Sequence, residues 1–149
     1  MQRYEPKNTG SDETEGDSST EEKPRIRSAR DAAHLLKHIA RAEQEHFYVL
    51  GLDSIHRVVI TQCVAIGTAD RVHVTGRDVF RELIRHNCSV FFVAHNHPSG
   101  NPTASRGDLE LTLGLQLAGE LLGIELLDHL ILAGDCFYSI REEVFLPNA

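Results

Sequence analysis

The stretch that decides the fold is Ser89-Val90-Phe91-Phe92-Val93-Ala94-His95-Asn96-His97-Pro98-Ser99-Gly100-Asn101-Pro102-Thr103-Ala104-Ser105-Arg106-Gly107-Asp108. Its first six residues are almost wholly apolar and rich in aromatic and β-branched side chains. A run that short without alternation is a strand buried on both faces, in the middle of a sheet. From His95 to Pro102, two prolines and a glycine break the element and force a loop. Ser105-x-x-Asp108 is a helix-start signal, and Leu109, Thr112, Leu113, Gln116, Leu117, Glu120 and Leu121 follow along one long helix that stops near Gly123. Ile124 to Leu132 is apolar again and reads as the next strand. A central strand, a loop, a helix and a further strand make a unit in which polar residues collect at one end of the sheet.

Upstream, Ser28 and Asp31 form a second start signal, and Ala32, Leu35, Leu36, Ile39 and Ala40 predict a helix over 28–42. Phe47 to Leu52 reads as a strand, Asp53-Ser54 as a turn, and Arg57 to Ile66 as a second strand closed by Gly67. Arg71 to Val74 is a candidate for a short third strand. Val79, Phe80, Leu83 and Ile84 define a helix between Gly76 and His86. Downstream, Phe137 to Ile140 closes the pattern after a Gly134-Asp135 turn. Helix, strands, helix, strand, helix, strands is the order of an α/β domain, a mixed β-sheet flanked by helices.

The chain of 149 residues is one domain's worth, with 41% apolar residues placed unevenly. Residues 1–24 contain only Met1 and Tyr4 of that class and carry four of the seven net negative charges. Such a stretch cannot bury enough apolar surface to offset the entropy of ordering it, so 1–24 reads as a disordered acidic tail and 25–149 as the folded domain. No run of 18 apolar residues occurs, which excludes a membrane-spanning helix. The acidic N-terminus lacks the basic and apolar parts of a signal peptide. The three cysteines, Cys63, Cys88 and Cys136, are odd in number and widely spaced. They point to reduced thiols and a cytoplasmic protein rather than to a disulfide framework or a thiolate zinc site. An acidic chain also lacks the charge footprint of a nucleic-acid binder.

Of nine histidines, six (His34, His38, His46, His56, His73 and His86) lie near helix ends or turns, where polar residues are usual. His129 sits inside an apolar strand and reads as a buried or supporting histidine rather than a ligand. His95 and His97 directly follow the central strand. If its extended geometry continues for two residues, both imidazoles point to one side. A polar turn is the plain reading of a lone His-x-His. For Ser105 and Asp108 the plain reading is a capping box whose carboxylate suits the helix dipole. A loop that returns to this helix, however, brings Asp108 back toward the histidines. Two histidines and one carboxylate with an open fourth position is the arrangement of a hydrolytic zinc site.

His95-x-His97, seven residues, Ser105, two residues, Asp108 is similar to the core of the JAMM (JAB1/MPN) metalloprotease motif. The fuller string His95-Asn96-His97-Pro98-Ser99-Gly100-x-Pro102-Thr103-x-Ser105 resembles the bacterial RadC family. So do Gly119-Glu120-Leu121-Leu122-Gly123-Ile124, Leu127-Asp128-His129-Leu130-Ile131 and Tyr138-Ser139-x-Arg141-Glu142. The resemblance covers about residues 28–146 and implies a cytidine-deaminase-like mixed sheet between helices with a single Zn2+. It implies zinc ligation by His95, His97 and Asp108. Of Glu43 and Glu45, it selects Glu45 as the base that activates a water, because Glu45 stands two residues before Phe47 at the start of the strand. It gives Ser105 the role of oxyanion donor, with Ser99 as second choice. The implied activity is hydrolysis of an amide or isopeptide bond in a peptide or protein substrate.

RadC proteins also carry a repair name, so a non-catalytic or DNA-repair-associated module is the alternative. A zinc deaminase needs His-x-Glu and Pro-Cys-x-x-Cys, and neither occurs. The chain departs from the family where Gly107 stands in the first helical turn, where Gly51 interrupts a strand, and where an acidic tail stands in place of the helix-hairpin-helix module of longer members.

Overall fold

Residues 21–67 and 73–147 are described by a computed structural model. The elements run α1 (Ala29–Leu35), a 3-10 turn (Lys37–Ile39), β1 (His46–Leu52), β2 (Val58–Ile66), α2 (Gly76–Arg85), β3 (Val90–Asn96), α3 (Arg106–Leu122), β4 (Glu125–Ala133), β5 (Cys136–Ser139) and β6 (Val144–Pro147). They build one six-stranded sheet in the order β2-β1-β3-β4-β5-β6. Only β3 and β4 pair in parallel, because α3 is the crossover between them. The other four pairings are antiparallel, so the sheet is mixed, as the element order requires.

The helices begin where local chemistry favours it. Ser28 accepts from the Asp31 amide at the start of α1, and reciprocal capping boxes join Thr75 to Asp78 and Ser105 to Asp108. Gly123, with φ of 72°, closes α3 in the left-handed conformation that only glycine adopts without strain. The predicted helix over 28–42 is shorter than its periodicity suggested. It ends at Leu35, and the last turn tightens to bonds from the Ile39 and Ala40 amides to Leu36 and Lys37.

Strand alternation gives the sheet a core on each face. Phe47, Val49, Phe91 and Val93 pack toward α2 and α3 with Val79, Leu83 and Leu115, while Leu50, Leu52, Phe92, Ala94, Leu130 and Phe137 pack toward α1 with Ala32, Ala33 and Leu36. The central strand runs two residues further than its apolar run, through His95 and Asn96. Its hydrogen-bonding partners β1 and β4 extend past Ala94 and hold those two residues in register against Phe47, Ile131 and Leu132. The break therefore begins at His97. Residues 71 and 72 of the predicted third strand lie outside the described residues, and His73 and Val74 are irregular. The strand β6 went unpredicted.

Of the predicted acidic tail, residues 1–20 lie outside the described residues. No helix among the described residues is long and apolar enough to cross a membrane. Cys63, Cys88 and Cys136 are all free thiols.

Candidate metal centre

Three segments meet at the end of β3. The first is the strand itself. Because β3 stays extended through Asn96, His95 falls on the same face as Phe91 and Val93 and is buried. Its ring stacks on Phe47, its partner on β1, with centroids 5.8 Å apart and planes 12° apart. His97 is tied to the sheet through its amide, which donates to Leu132 O at 3.0 Å. The two imidazoles do converge: their Nε2 atoms stand 3.0 Å apart. His97 Nδ1 lies 2.8 Å from Asn101 O. A carbonyl can only accept, so Nδ1 carries the proton and Nε2 holds the lone pair turned to the site.

The second segment is the start of α3. The capping box and the candidate site use the same two residues. Ser105 Oγ accepts from the Asp108 amide at 3.1 Å, and Asp108 Oδ2 accepts from the Ser105 amide at 2.8 Å. This box holds the carboxylate although Gly107 precedes it. Asp108 Oδ1 then lies 3.2 Å from His95 Nε2, and Oδ2 lies 3.4 Å from His97 Nε2. Burial opposes ionisation of Asp108, but the two imidazoles beside it, His95 first, outweigh it and hold the carboxyl far below the usual range. The Asp108 carboxylate in turn lifts His97 above an ordinary imidazole against its partial burial.

The third segment leads into β1 and carries Glu45, whose Oε1 is 3.6 Å from His95 Nε2. What places it is a residue that the sequence reading passed over. Asn96 lies on the opposite face of β3 from its two histidine neighbours and is fully buried. Its Nδ2 donates to Ala42 O and Gln44 O at 3.2 and 2.9 Å, and its Oδ1 accepts from the His46 amide at 2.7 Å. Three of the four polar valences of one side chain thus meet three backbone groups that flank Glu45. The Glu45 carbonyl is held from the other side by the Gly67 amide at 2.8 Å. Strand alternation was the available signal, since an asparagine continuing the Phe92–Ala94 face is a buried polar group that needs partners.

His129 is buried behind the site, as expected of a supporting histidine. Its Nε2 is 2.8 Å from His95 Nδ1, and its Nδ1 is 2.6 Å from Thr112 Oγ1. Burial, and then the neighbouring His95, push its pKa well below the ordinary histidine value. Ser99 Oγ accepts from the Asn101 amide within the loop turn.

Glu45, His95 and His97 present ligand atoms within 4.8 Å of one another and so can hold a metal ion, and Asp108 comes nearer still to both histidines. The fit can be tested by geometry. Tetrahedral zinc with bonds of about 2.0–2.1 Å sets its ligand atoms about 3.3 Å apart. The separations of 3.0, 3.2 and 3.4 Å among His95, His97 and Asp108 are close to that value. The donor set of two imidazoles and a carboxylate suits zinc as well. The cluster opens into a cavity of about 720 Å³ lined by Phe47, Ser105 and Leu111 among others.

A mixed sheet with two histidines at the end of its central strand and an aspartate at the start of the returning helix defines a domain of the JAB/MPN class. More closely, residues 26–145 match the model of the RadC-like JAB domain, and the chain belongs to that family. It is 42% identical over 122 residues to the UPF0758 protein YsxA of Bacillus subtilis, covering 81% of this chain and 53% of the relative. It is 47% identical over 117 residues to a UPF0758 protein of Acaryochloris marina, covering 78% and 48%. A UPF0758 protein of Trichormus variabilis is 49% identical over 105 residues, covering 70% and 43%. The chain thus spans about half the length of the curated relatives it matches.

Proposed function

We propose that this domain is a zinc-dependent hydrolase of the JAMM type that cleaves an amide or isopeptide bond in a peptide or protein substrate. The observation that carries the reading is the convergence of His95 Nε2, His97 Nε2 and the Asp108 carboxylate within 3.0–3.4 Å, with Glu45 Oε1 beside them at 3.6 Å. A purely structural loop has no need of a carboxylate held next to such a cluster. His95, His97 and Asp108 would hold the zinc, and Glu45, the more distant acid, is left to act on water. Bound there, zinc supplies a Lewis acid that polarises a carbonyl and makes hydroxide available near neutral pH.

The remaining steps belong to the chain. Glu45 accepts a proton from the attacking water at Oε1 and delivers it to the leaving amine. Ser105 Oγ already accepts from the Asp108 amide, so its hydroxyl proton is left to donate to the developing oxyanion. Loss of such a donor typically raises the barrier by about 3 kcal/mol. Phe47 and Leu111 supply apolar wall for the residues flanking the scissile bond. We place the reaction in the cytoplasm, where the three free thiols stay reduced.

The test is metal content followed by turnover. Wild type is expected to hold about one zinc per chain by elemental analysis, and His97→Ala, purified identically, to have lost it. Peptide-library cleavage by the zinc-loaded protein is expected to fall by at least about 100-fold in Glu45→Gln while zinc content stays. Wild type without zinc after reconstitution, or cleavage indifferent to Glu45, would overturn the reading.

A further inference from the structure

We propose that His129 and Thr112 set the proton on His95. They hold it on Nδ1, so that Nε2 is presented as a bare lone pair toward His97, Asp108 and Glu45. The inference rests on the proposed zinc site and adds two positioning residues to it.

The argument starts at the far end of the chain of contacts. Thr112 Oγ1 is 2.6 Å from Asp108 O. That carbonyl has no proton to give, so the hydrogen in this short contact belongs to Thr112. With its single proton spent, Thr112 Oγ1 can only accept from His129 Nδ1, also 2.6 Å away. His129 Nδ1 therefore bears a hydrogen. The His129 ring is fully buried, edge-on to Phe47 at a centroid distance of 5.7 Å. The nearby Asp128 carboxylate is directed to the backbone amide of His129. An imidazole with its hydrogen on Nδ1 presents Nε2 as the acceptor. The atom facing Nε2 at 2.8 Å is His95 Nδ1, which must then donate. The sequence of donors runs His95 to His129 to Thr112 to the carbonyl of Asp108. It begins on one candidate ligand and ends on the backbone of another.

The opposite direction fails at two places. If Thr112 gave its proton to His129, the oxygens of Thr112 and Asp108 would face each other with no hydrogen between them. His95 would also be protonated on Nε2, the atom that the site needs free. Partners that fix tautomer and ring orientation in this way commonly account for 10- to 100-fold in metal affinity.

The experiment uses the whole chain and zinc competition against a chromophoric chelator, with a long-range 1H–15N spectrum of the zinc-loaded protein. Wild type and Thr112→Ser are expected to bind zinc alike. Thr112→Val, which keeps the shape and removes the acceptor, is expected to bind about tenfold more weakly, and His129→Phe 10- to 100-fold more weakly. The spectrum is expected to show both His95 and His129 in the Nδ1–H form in wild type. Equal zinc affinity in wild type and Thr112→Val, or His129 in the Nε2–H form, would overturn this inference and leave the zinc reading standing. A wild type that takes up no zinc would overturn both. Since Thr112→Val changes no ring, it keeps the test valid if His129→Phe fails to fold.

Discussion

Asp128 shows how a single carboxylate, outside the candidate metal cluster, couples the sheet to pH. It sits in β4 with its side chain buried. One oxygen accepts from the amides of His129 and Arg141 at 2.7 and 3.0 Å, and the other from the Ser139 hydroxyl. Burial raises its pKa above the usual carboxylate value, and the Ser139 bond only partly offsets that. A carboxyl whose folded pKa is raised favours the native state when protonated. Its contribution is fully present below the unfolded value of about 3.8 and is lost as pH rises through the folded one. Asp128→Asn removes that titration. Urea denaturation of wild type and variant between about pH 3.5 and 7 is expected to show a flatter stability profile in Asp128→Asn over the acidic part of the range. Parallel profiles would show that Asp128 does not titrate as described. At this scale the sequence was generous with side chains that reach out and silent about those that reach back. That His95, His97 and Asp108 come together was legible from their types and spacing, and the place of Glu45 only from the family resemblance. Thr112 was not, because its partners are a backbone carbonyl and a ring brought near only by tertiary packing, and alternation marks Asn96 as buried without naming the backbone groups it meets.

Among the elements, two glycines carry geometric requirements that residue type alone disguises. Gly119 lies inside α3, where helix propensity by itself makes Gly→Ala stabilising by about 1 kcal/mol. A Cβ there would overlap the Ile124 carbonyl oxygen, because the chain folds back under the helix and the Ile124 amide donates to Gly119 O at 2.9 Å. Backbone cannot yield as a side-chain tip can, so Gly119→Ala is expected to destabilise by about 1–3 kcal/mol. Gly51 answers the earlier puzzle of a glycine within a strand. An added Cβ would stand 2.5 Å from Cys88 Sγ and 2.8 Å from Ile60 Cγ1, so those side chains fill the space that a bulky residue would take. Gly51→Ala is expected to destabilise as well, by less, since both neighbours can shift. Chemical denaturation of the two variants checks the order; a stabilised Gly119→Ala would refute the packing argument. The strands and helices themselves were largely legible from periodicity and caps. The end of β3 was not, because hydrogen-bonded partners rather than apolar side chains carry it through His95 and Asn96. For β6, four residues ending in Pro147 and paired only to β5 offered too short a pattern to read.

For the molecule as a whole, the decisive quantity is charge. The chain is net −7, and even without its first 24 residues it remains acidic. Affinity for a phosphate backbone comes chiefly from cations that displace counterions. The alternative reading as a DNA-repair module therefore has to find a positive surface within a domain whose conspicuous cavity is lined by Glu45 and Asp108. Zinc would neutralise part of that cluster without making the domain basic. The relatives extend well beyond the matched region, so the question concerns this chain alone. Non-specific binders reach Kd values of about 10⁻⁴ to 10⁻⁶ M at physiological salt. Zinc-loaded protein titrated into a labelled duplex at about 150 mM salt is expected to show no saturable binding up to roughly 100 μM. At about 50 mM salt any residual signal is expected to stay weak, since few phosphate contacts give a shallow salt slope. Micromolar binding that weakens steeply with salt would require a basic face that the composition does not provide, and would return the nucleic-acid reading to first place.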